Sequence, residues 1–78
     1  MDEASYKGYV IRPAPMRLAE GGWTHEVYVV LDKGHSVVEK QFSSATTFAT
    51  RQEAVDHCIE FGRRIIDGEA RNCTVQDL

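Results

Sequence analysis

Trp23-Thr24-His25-Glu26-Val27-Tyr28-Val29-Val30-Leu31 is the strongest strand signal in the chain, and its reading decides the fold. Side chains two residues apart share one face of a strand, so Trp23, Val27, Val29 and Leu31 make an apolar face interrupted by His25. The even positions Thr24, Glu26, Tyr28 and Val30 make a mixed face. Because its far end is apolar on both sides, the segment is expected at the centre of a sheet.

Working outward, Glu20-Gly21-Gly22 reads as a turn. Before it, residues 6–18 read as one extended segment carrying the strand formers Tyr6, Tyr9, Val10 and Ile11. Pro13 and Pro15 cannot donate to a ladder, which bends this strand and assigns it to a sheet edge. Residues 1–5 are expected as a flexible N-terminus. After the central strand, Asp32-Lys33-Gly34 reads as a three-residue hairpin loop with Gly34 left-handed. A third strand follows from His35 to Ser43, and residues 44–49 form a connection with Phe48 tucked under the sheet.

Thr50-Arg51-Gln52-Glu53 fits a capping box, in which the Thr50 hydroxyl takes the Glu53 amide and Glu53 reaches back. Ala54, Val55, Cys58, Ile59, Phe61, Gly62, Ile65 and Ile66 then recur with helical spacing in one stripe. Glu53, Asp56, His57, Glu60, Arg63, Arg64 and Asp67 hold the opposite face, where Glu60 and Arg64 are spaced as an i,i+4 ion pair. Gly68 stops the helix, and residues 69–78 form a polar C-terminal tail. The expected fold is α+β: an antiparallel three-stranded meander (β-β-β-α) with one C-terminal amphipathic helix packed on one sheet face. The single domain spans residues 6–68.

Composition limits the function. Nine Lys+Arg against twelve Asp+Glu give a net charge of −3, which argues against a surface built for phosphate. The longest unbroken apolar run is Val27 to Leu31, too short to span a bilayer. Met1-Asp2-Glu3-Ala4-Ser5 is acidic and lacks the apolar stretch of a secretory signal, so a cytoplasmic location is expected. Cys58 and Cys73 are then free thiols. A chain of 78 residues should bury about 60% of its extended surface. The apolar part of that burial is worth about 120 kcal/mol. Chain ordering costs about the same. Self-association is therefore a reasonable expectation.

Several strings resemble those of a family of small bacterial proteins of unknown function. They are Tyr6-Lys7-Gly8-Tyr9, the lone Trp23, Phe48-Ala49-Thr50-Arg51-Gln52-Glu53-Ala54, and Gly62 with Ile66-Asp67-Gly68. That family has no assigned activity, so the resemblance implies a fold and no chemistry. A looser likeness is to three-strand-plus-helix DNA-binding domains, which read DNA with a sheet studded with Arg and Lys. Here the strands offer only Lys7, Arg12, Arg17 and Lys40, alongside Glu26 and Glu39.

No catalytic, cofactor or metal set is read from the sequence. His25, His35, His57, Cys58 and Cys73 lack short metal-ligand spacing, and the neighbours His57 and Cys58 diverge by about 100° on a helix. His57 reads as a surface imidazole and Cys58 as a buried thiol. Asp32, His35 and Ser36 crowd one hairpin, but strand alternation points His35 and Ser36 to opposite faces, so they are turn residues. The helix carboxylates sit on a solvated face, and Gly21-Gly22 precedes a strand, the wrong context for a dinucleotide loop.

One surface remains. A single helix covers one face of a sheet, so if the Trp23/Val27/Val29/Leu31 face meets it, Tyr28 and Val30 face outward, joined by Tyr9 and Ile11. This set is the expected interaction surface. The expected function is a non-enzymatic protein-interaction module with no cofactor, binding a protein partner or a second copy through the open face or an edge strand. A nucleic-acid-binding module using the strands is the alternative, weakened by the missing positive charge.

Overall fold

The computed structural model describes residues 2–70 and 73–75. It contains β1 (Ala4–Tyr6), β2 (Tyr9–Pro13), β3 (Trp23–Asp32), β4 (Val37–Phe48) and α1 (Arg51–Ile66). The strands form one antiparallel meander in the order β1-β2-β3-β4. The α+β class, the antiparallel sheet and the single C-terminal helix agree with the sequence reading. The strand number does not: the described residues form four strands, not three.

The extra strand comes from the first resemblance string. Lys7 and Gly8 both adopt positive φ, at 50° and 88°, which gives a two-residue hairpin turn between paired Tyr6 and Tyr9. Such turns match the right-handed twist of the strands they join. Ala4 and Ser5 therefore fold back onto Ile11 and Val10. β2 consequently lies inside the sheet rather than on its edge, and Pro13 is tolerated at its last residue, beyond the reach of β1.

The central strand is β3, as expected. The loop after it is tighter than the expected three residues: the Lys33 N–H donates to the Ser36 carbonyl at 2.8 Å around a left-handed Gly34. The Gly34 N–H also donates to the Asp32 Oδ1. β4 starts at Val37 and runs on through the expected connection to Phe48, because a bulge absorbs Ala45 and Thr46 between the pairs His25↔Ser44 and Thr24↔Thr47.

At the helix start, the Glu53 N–H donates to the Thr50 Oγ1 at 3.1 Å, while the Glu53 carboxylate accepts from Ala49, one residue before the cap. At the far end, the Gly68 N–H donates to the Ile65 carbonyl and Glu69 to that of Arg64, with Gly68 at φ 76°. These paired bonds satisfy the last carbonyls and stop the helix. Glu60 meets Arg63 at 3.8 Å instead of the expected Arg64.

The core lies between α1 and one sheet face. Val27, Val29, Phe42, Cys58, Ile65 and Ile11 form its centre. Ile11 corrects the sequence reading: it is 0% exposed and faces the helix, not solvent. It pairs with Val29, which puts both on the same face, and packs directly beneath Gly62. A Cβ on Gly62 would stand 2.5 Å from the Ile11 Cγ2, so the missing side chain is what lets the helix settle on the strand. Tyr9 has the same parity and packs against the core as well.

A second contact ties the chain's beginning to the helix end. Asp67 accepts the Tyr6 hydroxyl at 2.7 Å and the Lys7 ammonium at 2.6 Å. The hydrogen bonds from Lys7 and Tyr6 hold the Asp67 carboxyl below its ordinary pKa. The same carboxylate raises the pKa of both partners. Arg63 adds a cationic group 5.9 Å from the Tyr6 ring centroid. Beyond the helix, Ala70, Cys73 and Val75 rest on the core. The rest of the expected tail (residues 71, 72 and 76–78) lies outside the described residues, as does residue 1.

Candidate functional site

Among the described residues the sheet has a helix on one side and none on the other, as expected from the sequence. Register assigns the residues of the bare side. Val10 pairs with Val30 and then Glu39, while Arg12 pairs with Tyr28 and then Gln41. Of the expected surface, Tyr28 and Val30 lie here, whereas Tyr9 and Ile11 belong to the helix side. Val30 is only 8% exposed, hemmed in by its cross-strand neighbours, and Tyr28 and Val10 are half-buried.

A polar frame surrounds these apolar groups. Arg12 reaches Glu3 at 3.0 Å and Glu39 at 3.4 Å. On the other flank Glu26 accepts from the Thr24 hydroxyl at 2.7 Å and from the Gln41 amide at 3.0 Å. Thr24 itself accepts the Met16 amide, which anchors the loop before β3. The sheet margin next to this face is β4, which among the described residues has a strand neighbour on one side only. Val37, at its start, is 64% exposed.

Sequence reading missed a second feature, a cleft of about 560 Å³ on the helix side. His25, Ser44, His57, Phe61, Arg64 and Cys73 are among the residues that line it. Ser44, the last paired residue before the β4 bulge, lies in its wall. The His57 carbonyl can only accept, so the His25 Nε2–H donates to it at 3.3 Å. The His25 Nδ1 then accepts the Ser44 hydroxyl at 2.6 Å, and the Ser44 Oγ in turn accepts the Thr46 N–H at 3.2 Å. This tautomer follows from the hydrogen-bond chain. Burial pushes the His25 pKa down, the direction that favours the neutral ring in this chain of bonds.

Four rings close around that chain. His25 lies 4.5 Å from Phe61, and His57 stacks on Phe48 at 4.6 Å with 13° between planes. Phe48 also meets His25 edge-on at 5.3 Å. His57 is exposed, as expected, yet it is fixed by the ring of Phe48. His25 is thus a half-buried ring with both nitrogens satisfied. A hydroxyl donating to an unprotonated imidazole is also how a serine nucleophile is activated. Here, however, the same oxygen receives a backbone N–H and pins the bulge.

The thiols differ. Cys58 is fully buried, and burial raises its pKa, whereas Cys73 is half-buried at the cleft wall. Among the described residues no three His, Cys, Asp or Glu side chains group as a metal cage, and no helix is long and apolar enough to cross a membrane.

Fold and surfaces together define a small α+β domain, a four-stranded antiparallel meander under one C-terminal helix. The chain belongs to the family described as "Domain of unknown function (DUF6566)", which matches residues 1–77. No curated protein and no solved structure matches it. The Tyr6-Lys7 and Asp67 strings, noted in the sequence for their resemblance to such a family, meet in space at the contact between hairpin and helix end.

Proposed function

We propose that this domain is a non-catalytic, cytoplasmic protein-interaction module whose contact surface is the bare sheet face together with the open margin of β4. The observation that carries the reading is β4 itself: ten of its twelve residues pair with β3 on one side, and among the described residues no strand lies along the other. Such a row of outward N–H and C=O groups is a template for another strand. The adjoining face offers Tyr28 and Val10 inside a polar frame, and interfaces favour tyrosine surrounded by a polar rim.

The nucleic-acid alternative is disfavoured by charge. Arg12, the cation at the middle of the bare face, is neutralised between Glu3 and Glu39. The non-catalytic reading is supported by Ser44, whose hydroxyl is tied to both His25 and the Thr46 amide.

A photoreactive phenylalanine placed at Gln41 tests the reading in living cells, with the same group at Asp56 on the outer helix face as control. Discrete protein adducts are expected at Gln41 and not at Asp56. Equal or absent adducts at both positions would refute the proposed surface.

A further inference from the structure

We infer that the helix-side cleft binds a small zwitterion that carries an aromatic ring, an aromatic amino acid. Arg64 takes its carboxylate, Glu69 its ammonium, and the rings of His25 and Phe61 its side chain. This goes beyond the contact-surface reading and does not depend on it, because it uses the helix side of the sheet.

Three parts of the chain build the cleft. The strands supply His25 and Ser44, α1 supplies Phe61 and Arg64, and the segment after the helix supplies Glu69 and Cys73. Its volume of about 560 Å³ falls within the range of small-molecule sites, about 300–1,000 Å³. The polar atoms of the sheet wall are already committed. His25 spends one nitrogen on the His57 carbonyl and the other on the Ser44 hydroxyl, and the Ser44 oxygen holds the Thr46 N–H. What this wall offers a ligand is therefore ring surface: His25 and Phe61 lie 4.5 Å apart with 34° between their planes. A third ring set beside them gains the offset or edge contacts that aromatic groups favour.

The charged groups are uncommitted. Of the charged side chains that line the cleft, Glu60 faces Arg63 at 3.8 Å. Arg64 and Glu69 have no ion-pair partner among the described residues, not even each other. Yet the Glu69 N–H donates to the Arg64 carbonyl at 2.8 Å, which brings the two residues together at the end of the helix. That pairing selects the ligand. A simple anion drawn to Arg64 also meets the Glu69 carboxylate, and a simple cation drawn to Glu69 meets the guanidinium. A molecule with both charges on adjacent groups satisfies each, and the guanidinium fork suits a carboxylate. Phe61 and Arg64 are three residues apart on α1, so their Cβ atoms lie about 5–6 Å from one another. A ring on a single methylene can rest on Phe61 while its carboxylate reaches Arg64.

Amide NMR spectra of the intact chain, recorded during titration with L-phenylalanine, test the inference. Saturable shifts at cleft amides such as Ser44, Phe61 and Ala70 are expected, with a dissociation constant of about 1 mM for so few ligand atoms. The analogues 3-phenylpropionate, without the ammonium, and phenethylamine, without the carboxylate, should each bind about tenfold more weakly. Alanine, without the ring, should leave the spectrum unchanged. Arg64→Gln should weaken L-phenylalanine and 3-phenylpropionate about tenfold and spare phenethylamine, and Glu69→Gln should do the converse. Both side chains are exposed, and the rest of each spectrum checks the fold. Absence of saturable shifts at about 20 mM L-phenylalanine, where a millimolar site is nearly full, would overturn the inference. Equal binding of alanine or of either single-charge analogue would do the same, as would indifference to both substitutions. None of these results bears on the adducts at Gln41, which read the opposite side of the sheet.

Discussion

Gly62→Ala ought to stabilise a helix, and here it should do the reverse. In a helix interior alanine is favoured over glycine by about 1 kcal/mol. The new Cβ, however, would stand 2.5, 3.0 and 3.2 Å from three carbons of Ile11, where ordinary contact begins near about 3.5 Å. Ile11 would have to retreat by about 1 Å, and it is boxed in by Val27 and Val29, both fully buried. Overpacking of this kind costs about 1–3 kcal/mol. The expected net loss is about 1 kcal/mol. With a urea slope of about 1 kcal/mol/M, the unfolding midpoint falls by about 1 M. The background Ile11→Ala should invert the sign, because the methyl then enters vacated space and the helix gain of about 1 kcal/mol is recovered. Urea titrations of all four chains, with sodium sulfate present throughout to keep Ile11→Ala folded, give a coupling of about 2 kcal/mol. An unchanged or raised midpoint in the parent, or the same loss in both backgrounds, would refute the packing argument.

Other expectations concern the caps, the titrating groups and the thiols. Thr50→Ala removes the acceptor for the Glu53 amide and should cost about 1 kcal/mol in thermal or urea unfolding, with Thr50→Ser largely restoring it. Acid should destabilise the fold in two stages. His25 has a depressed pKa, so its contribution is complete above about 6.5 and declines as pH falls toward the folded value; His25→Gln should flatten that part of the stability profile. Asp67 is also depressed, and its contribution is complete above about 3.9 and declines below; Asp67→Asn should flatten that lower part. Thiol labelling with a disulfide reagent should be biphasic, Cys73 reacting at once and Cys58 only at the rate of opening, since one is half-buried and the other enclosed with a raised pKa.

Local signals were the legible part of this fold. The alternation of β3 and the Thr50-to-Gly68 helix need only near neighbours to be read, and both stand where the sequence puts them. β1 was illegible because it has three residues, and because its turn places Lys7, not the usual Asn or Asp, at positive φ. The facing of Ile11 was misread because Val10 and Ile11 are adjacent and both apolar, so alternation alone cannot say which points inward. Gly62 decides it, from across the core. Tyr28 and Val30 followed from the parity of β3. The cleft was hidden for a different reason. Its hydrogen-bond chain joins His25, Ser44 and His57 through a bulge at Ala45 and Thr46 that carries no glycine or proline to announce it.

The lid over the sheet follows all four strands in the chain and so leaves the ribosome after them. Until α1 arrives, the strands hold Ile11, Val27 and Val29 toward water with nothing to shield them, and the tie from Tyr6 to Asp67 closes nearly the entire chain into one loop. Contacts so distant along the polymer slow folding and prolong the sticky intermediate. A nascent chain stalled before Arg51 should therefore present an adhesive, half-made sheet to chaperones.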